Sequence, residues 1–261
     1  MRISHRFRTS LLASLPFLAF LVTPAAGAVG LSQLQGGTLR VGYFTDTPGL
    51  VQQGGGQVTG FAPEVLALVA RELKVKNVTW RKLSSQEALL RELSAGTLDA
   101  AFDVKLPQIL ADAEQLAPVV CTGGVMFARP GGPKTEADLR SAKIAMATDH
   151  PYFNYVRNLP FPKTVVAFEN ADKALLAFLG GSADVLLLDR FDALKMYTRL
   201  GPEKLQVSPL LWSQPVALVV KVGSDKQVGA AVGAALQKVQ ASGNYAKLSK
   251  KYFTQDVRCA G

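Results

Sequence analysis

Residues 38–43, Thr38-Leu-Arg-Val-Gly-Tyr43, form a short β-type run, and residues 64–73 place Val65, Leu66, Leu68, Val69 and Leu73 at the spacing of one helix face. Residues 78–80 predict a second strand, residues 86–93 a second helix, and residues 100–104 a third strand after the turn Gly96-Thr-Leu-Asp99. Strands alternating with helices of this length imply a parallel sheet covered by helices.

The same order recurs downstream. Arg40-Val-Gly-Tyr-Phe-Thr45-Asp46-Thr-Pro48 is echoed by Lys143-Ile-Ala-Met-Ala-Thr148-Asp149-His-Pro151. Ala88-Leu-Leu with Leu93, Gly96 and Asp99 is echoed by Ala174-Leu-Leu with Leu179, Gly181 and Asp184. Two matches in the same order predict two Rossmann-like α/β lobes. Residues 118–129 read as an extended crossover ending in Pro130-Gly-Gly-Pro133, and residues 209–222 as a second extended segment able to lead back. The tail, residues 228–253, reads as a helix, a break at Ser242-Gly243 and a shorter helix. This assigns residues 29–120 and 220–261 to a first lobe and 121–219 to a second. The hinge is then a pair of crossings near residues 120–127 and 211–219, and clefts between such lobes are favoured ligand sites.

The first 28 residues stand apart from this plan. Arg2, Arg6 and Arg8 precede an apolar run over residues 11–22, and Ala26-Gly27-Ala28 follow, which predicts a secretory signal peptide cut after Ala28. The run is shorter than the roughly 20 residues a membrane span needs and contains Pro16. No cysteine near the cut site offers a thiol for lipid attachment, so the mature chain is expected to be soluble and periplasmic. Without the leader the chain keeps 26 basic and 20 acidic residues, a formal +6. These charges are mixed along the sequence rather than gathered in a stripe, which argues against nucleic acid as a partner. In an oxidising compartment Cys121 and Cys259 are expected to pair. With His5 in the leader and His150 alone in the mature chain, no metal site is expected, and no cofactor.

The chain resembles the bacterial extracellular solute-binding proteins of the polar amino-acid type, family 3, across nearly all of its mature length. The resemblance rests on Gly60-Phe61 entering the first helix, on Leu90, Leu93, Gly96 and Asp99, and on Asp138-Leu-Arg before Lys143-Ile. It rests also on Ala174, Leu175, Leu179, Gly181, Asp184 and Asp189, and on the ending Gly243, Tyr245, Lys247, Lys251-Tyr-Phe253. It implies a type II periplasmic-binding-protein fold, a monomer that closes on a small molecule, and the permease of an ABC transporter as partner. It also implies that Asp189 receives a ligand ammonium. Three positions depart from the family's pattern. Where members carry Thr-Pro-Glu-Arg, whose arginine clamps the ligand carboxylate, this chain has Leu106-Pro107-Gln108-Ile109. Gly-Phe-Asp is here Gly60-Phe61-Ala62, and Gly-Ser-Thr is Ala147-Thr148-Asp149. The carboxylate clamp of an ordinary α-amino acid is therefore missing.

Ligands of open parallel sheets sit beyond the carboxyl ends of the strands. That rule selects Tyr43, Asp46, Asp103, Lys105, Thr148, Asp149, His150, Asp189 and Arg190 as ligand-binding candidates, with Phe61 at the first helix. Tyr43 can stack on a planar ligand or pack in the core. Asp46 and Asp149, each two residues before a proline, suit helix caps better than ligand contacts. Asp189 has the alternative of a turn or cap. Lys105 and Arg190 can replace the missing arginine against an anion, or sit on a solvated surface. His150 can donate or respond to pH, or be incidental. The expected ligand is small and polar or anionic. No nucleophile elbow, zinc helix or phosphate loop occurs, so an enzyme is not expected. Two alternatives remain: a binding-protein-fold accessory to a membrane sensor, and a dehydratase using Asp46, Asp103 or Asp189 as general acid.

Overall fold

The computed structural model describes residues 29–103, 113–201 and 203–259. In chain order, α1 (Leu31–Leu34) leads to β1 (Thr38–Tyr43), the hairpin β2 (Gln52–Gly54) and β3 (Gln57–Thr59), and α2 (Phe61–Glu72). Then follow β4 (Asn77–Lys82), α3 (Gln86–Ser94), β5 (Ala100–Phe102), β6 (Ala113–Thr122) and β7 (Gly124–Ala128). A 3-10 turn at Glu136–Arg140 precedes β8 (Lys143–Ala147), α4 (Phe153–Arg157), β9 (Thr164–Phe168), α5 (Ala171–Leu179) and β10 (Val185–Asp189). The chain ends with α6 (Arg190–Leu200), β11 (Gln206–Val207), β12 (Gln214–Lys221), α7 (Lys226–Ala241) and α8 (Asn244–Phe253).

Two five-stranded sheets result, in the orders β4-β1-β5-β12-β6 and β9-β8-β10-β7-β11. In each, the first strand of a copy lies parallel between the second and third, as β1 between β4 and β5 and β8 between β9 and β10. An antiparallel strand next to a crossing follows, β12 in one sheet and β7 in the other. The sequence repeat is thus a repeat of topology, and the protein has two α/β lobes.

The Gly-x-x-Asp signature has a direct physical reason. Gly96 and Gly181 hold φ of +71° and +83°, which a side chain disfavours, and turn the chain out of α3 and α5. Each aspartate then grips the start of its lobe's first strand. The Arg40 N–H donates to Asp99 Oδ2 at 2.7 Å and the Asp99 N–H to the Arg40 carbonyl at 2.9 Å. The Lys143 N–H donates to Asp184 Oδ2 at 2.7 Å and the Asp184 N–H to the Lys143 carbonyl at 2.9 Å. Caps also correspond: Ser85 accepts from the Ala88 N–H and Asn170 from the Lys173 N–H. In the first lobe, α2 and α7 bury Val65, Leu66, Val69, Val232 and Leu236 in one core with β1, β5 and β12. An apolar void of about 20 Å³ lies in that core, lined by Leu66, Leu218 and Val232 among others, room for about one water.

The two crossings touch. Gly123, between β6 and β7, has φ +142°, and a Cβ there would stand 2.0 Å from the Trp212 carbonyl oxygen. A Cβ on Gly124 would stand 2.0 Å from the Trp212 ring. The return crossing therefore runs at Trp212, just before β12. That lies at the start of the expected segment 211–219, and Gln214–Lys221 pair with Ala113–Thr122 inside the first sheet. Cys121 and Cys259 are disulfide-bonded with Cα atoms 4.8 Å apart, and the Cys121 N–H donates to the Val257 carbonyl at 3.0 Å. The tail is thus fastened to β6 beside the hinge.

Free-thiol titration of unfolded, unreduced protein is expected to give no signal, and reduction to lower unfolding free energy by about 2–5 kcal/mol. Gly123→Ala, whose added carbon meets main chain rather than a movable side chain, is expected to cost about 1–3 kcal/mol in denaturant unfolding. A neutral Gly123→Ala would show that the crossings are not in close contact.

Candidate functional site

The carboxyl ends of β1, β5, β8 and β10 converge on one cleft of about 410 Å³ between the lobes. The first lobe contributes the loop Thr45, Asp46, Thr47 and Pro48, with Asp103 and Val216; the second contributes His150, Pro151, Tyr152, Asp189 and Asp192. Thr122 and Gln214, one on each strand leading into the hinge, form the back.

Asp189 is the hub. Oδ1 accepts the Phe191 N–H at 2.9 Å, so the residue caps α6, while Thr122 Oγ1 lies 2.8 and 2.7 Å from the two carboxylate oxygens. The Tyr152 hydroxyl reaches Oδ2 at 3.0 Å and Gln214 Oε1 at 2.9 Å. One carboxylate of the second lobe is thus tied to the last residue of β6 and, through Tyr152, to the first of β12. Burial of the Tyr152 phenol, then the negative charge of Asp189, pushes its pKa up, so it stays a neutral donor. Tyr152 also stands edge-on to Trp212, ring centroids 5.2 Å apart, which couples the cleft wall to the hinge.

On the first-lobe wall, Asp46 pairs with Lys82 and accepts the Gln53 N–H at 3.1 Å and the Tyr43 hydroxyl at 3.2 Å. The Lys82 hydrogen bond, helped by Gln53, holds the Asp46 carboxyl below the usual carboxylate range. Burial, with the Asp46 charge, pushes the Tyr43 phenol up to about 12. Asp103, at the end of β5, has φ +58°, the left-handed region a non-glycine residue seldom enters. His150 accepts the Tyr152 N–H at Nδ1, 3.2 Å, which places the neutral ring's proton on Nε2.

Of the residues selected from sequence, Asp46, Asp103, His150 and Asp189 meet in this cleft, whereas others do not. Tyr43 is fully buried, edge-on to Trp80, so it cannot cover a ligand ring; it orients Asp46 instead. Phe61 is also fully buried and packs edge-on to Tyr245 at 5.0 Å, pinning α2 to α8. Arg190 is 8% exposed and turned away from the cleft, donating to the Cys121 and Asp256 carbonyls at 3.1 and 2.6 Å. It latches the second lobe to the disulfide-held tail and holds no anion. Thr148 and Asp149 are exposed and do not line the cleft. Neither Asp46 nor Asp149 caps a helix: the N-caps of α2 and α4 are Gly60 and Tyr152. Lys105 and the Leu106-Pro107-Gln108-Ile109 run lie outside the described residues. Thr122, Tyr152, Asp192 and Gln214 were not selected by the strand-end rule. An aromatic just after His150-Pro151 and a threonine next to Cys121 were the available signals for two of them. Among the described residues no group of histidine, cysteine and acidic side chains could hold a metal ion.

A sequence model of the bacterial extracellular solute-binding proteins, family 3, matches residues 39–255, which span both lobes and the cleft. The chain belongs to this family. It is 24% identical over 233 residues to a probable amino-acid-binding protein, YxeM, of Bacillus subtilis (strain 168), covering 84% of this chain and 85% of that one. The L-cystine solute receptor of Neisseria gonorrhoeae, unliganded and open, superposes with TM-score 0.75 at 21% identity, over 88% of this chain and 98% of that one. A polar amino acid ABC uptake transporter substrate binding protein of Streptococcus thermophilus gives TM-score 0.71 at 18% identity, over 85% and 88%. At such identities the likeness in structure shows a shared fold. In this member of the solute-binding family the fold surrounds an acidic cleft: four aspartates line it, and no lysine or arginine among the described residues does.

Arg190→Ala leaves the buried Cys121 carbonyl and the part-buried Asp256 carbonyl without their charged donor and is expected to lower stability by about 2–3 kcal/mol in denaturant unfolding. Arg190→Lys, which retains one donor, should recover part of that. An unchanged midpoint for Arg190→Ala would remove the latch.

Proposed function

We propose that the protein captures a small, polar, amino-acid-sized solute outside the cytoplasm and presents it to the permease of an ABC transporter. The observation that carries this is the convergence of four strand ends from two lobes on a single cleft backed by both hinge strands. Closure about Gly123 and Trp212 would bring Asp46 and Asp103 towards Asp189 and Tyr152, surrounding a solute. Membership of the solute-binding family and the names of its relatives support the reading. So does the N-terminal pattern taken as a signal peptide, which lies outside the described residues. Among the described residues no helix is long and apolar enough to cross a membrane. On this reading the protein acts as a monomer and performs no chemistry on its cargo. Asp46 argues against the dehydratase alternative, since its pairing with Lys82 holds it ionised and unsuited to act as an acid.

Native mass spectrometry of protein purified without denaturation should reveal a retained small solute. X-ray scattering should give a smaller radius of gyration when that solute is restored to stripped protein. A tightly held solute that leaves the radius unchanged would remove the closure mechanism.

A further inference from the structure

Among the described residues the cleft is rich in acceptors and poor in donors for an anion. In the second lobe the main-chain N–H groups of Thr148, His150 and Tyr152 are already engaged, by the Phe168 carbonyl, the Ala147 carbonyl and His150 Nδ1. In the first lobe the Thr47, Leu50 and Val51 N–H groups close the loop on itself. The Arg190 N–H donates to the Gly123 carbonyl and its guanidinium to the tail. Lys82 is paired to Asp46. Residues 104–112, outside the described residues, carry one lysine, one aspartate and no arginine in sequence.

Asp189 states the requirement most clearly. Among the described residues its contacts come from the Thr122 and Tyr152 hydroxyls and the Phe191 N–H, all neutral donors, and it forms no ion pair there. Neutral donors orient a carboxylate without cancelling its charge. In an open cleft water solvates that charge; on closure the water leaves, and a carboxylate buried without a counter-charge is destabilising. Since no lysine or arginine among the described residues lines the cleft, a cation brought in by the solute would remove that cost. An amino acid brings one in its ammonium, but also a carboxylate, which would enter a cleft whose walls carry like charge and whose loop N–H groups are occupied.

We propose, resting on the reading of this cleft as a solute site, that its occupant is a small organic amine cation bearing no carboxylate. Asp189 receives the ammonium, with Thr122 and Tyr152 bracing the carboxylate. The amine is the counter-charge that permits closure, so selectivity and conformational change share one cause.

Matched pairs test this. Calorimetry on the stripped mature protein compares 1,5-diaminopentane with L-lysine, 1,4-diaminobutane with L-ornithine, and agmatine with L-arginine; each pair differs by one carboxylate. At least one decarboxylated member is expected to bind at least about tenfold tighter than its parent. Asp189→Asn, which keeps a capping oxygen, is expected to weaken that amine by about tenfold or more with an unchanged thermal midpoint. If Asp189→Asn lowers the midpoint, the salt dependence of wild-type binding takes its place: affinity should fall as sodium chloride rises. A parent amino acid that binds as well as its amine, or no binding by any amine, overturns the proposal. In that event a different solute that still compacts the protein leaves the solute-binding reading intact. If no solute is retained and none compacts the protein, that reading fails as well.

Discussion

The architecture depends on one close approach, that of Gly123 and Gly124 to Trp212. Two chain segments must pass between the lobes side by side, and at this point there is no room for a Cβ on the outgoing one. Glycine at both positions lets the backbone reach the indole and its carbonyl, and the φ of +142° at Gly123 lets β6 leave one sheet as β7 enters the other. Most of what makes the cleft a site lies within a few residues of this contact. Thr122 precedes Gly123 and holds Asp189; Gln214 follows Trp212 by two and meets Tyr152; Tyr152 rests on the indole. A pivot built this way cannot turn without moving the groups that would touch a solute.

The disulfide belongs to the same construction. Cys121 fixes the tail to the end of β6, and Arg190, the residue after Asp189, grips the tail and Cys121 together. Phe191 extends that contact by packing on Phe253 of α8 at 4.9 Å. The pair Asp189-Arg190 thus divides its labour: one side chain faces the cleft and the other, buried, faces the tail. Burial pulls the Arg190 guanidinium below its ordinary pKa, and the nearby charges of Asp256 and Asp189 oppose that pull.

Periodicity and the internal repeat reveal the fold in the sequence because both report backbone and burial, which are local. Gly-x-x-Asp is legible for that reason: a turn and a main-chain clamp need the same residues in each copy. The leucines of the repeat mislead in part. Leu90 and Leu93 are buried, yet their counterparts Leu176 and Leu179 are 68% and 43% exposed, because what covers a helix is decided by distant chain. The site is legible only as far as strand ends point to it. Asp46, Asp103, His150 and Asp189 follow from that rule. Tyr43 and Arg190 satisfy it equally and face elsewhere: Tyr43, the last residue of β1, is packed in the core, and Arg190, the first of α6, turns to the tail. Thr122 and Gln214 are invisible to it, since they lie on antiparallel strands whose role exists only once two lobes are joined.

Charge offers the sharpest contrast between composition and place. The chain carries a formal +9, yet the cleft is lined by aspartates and by no lysine or arginine among the described residues. At physiological salt, exposed charges more than about 8 Å apart are largely screened, whereas charges within a closing cleft lose that screening along with their water. On the proposed reading the overall surplus is therefore a weaker guide to the solute than the local deficit. An anion attracted to the surface would meet repulsion at the mouth of the cleft, while a cation would meet attraction that grows as the lobes approach. On the proposed reading, the closure that would strengthen this discrimination is movement about Gly123 and Trp212, which makes the hinge and the acidic wall parts of one selective device.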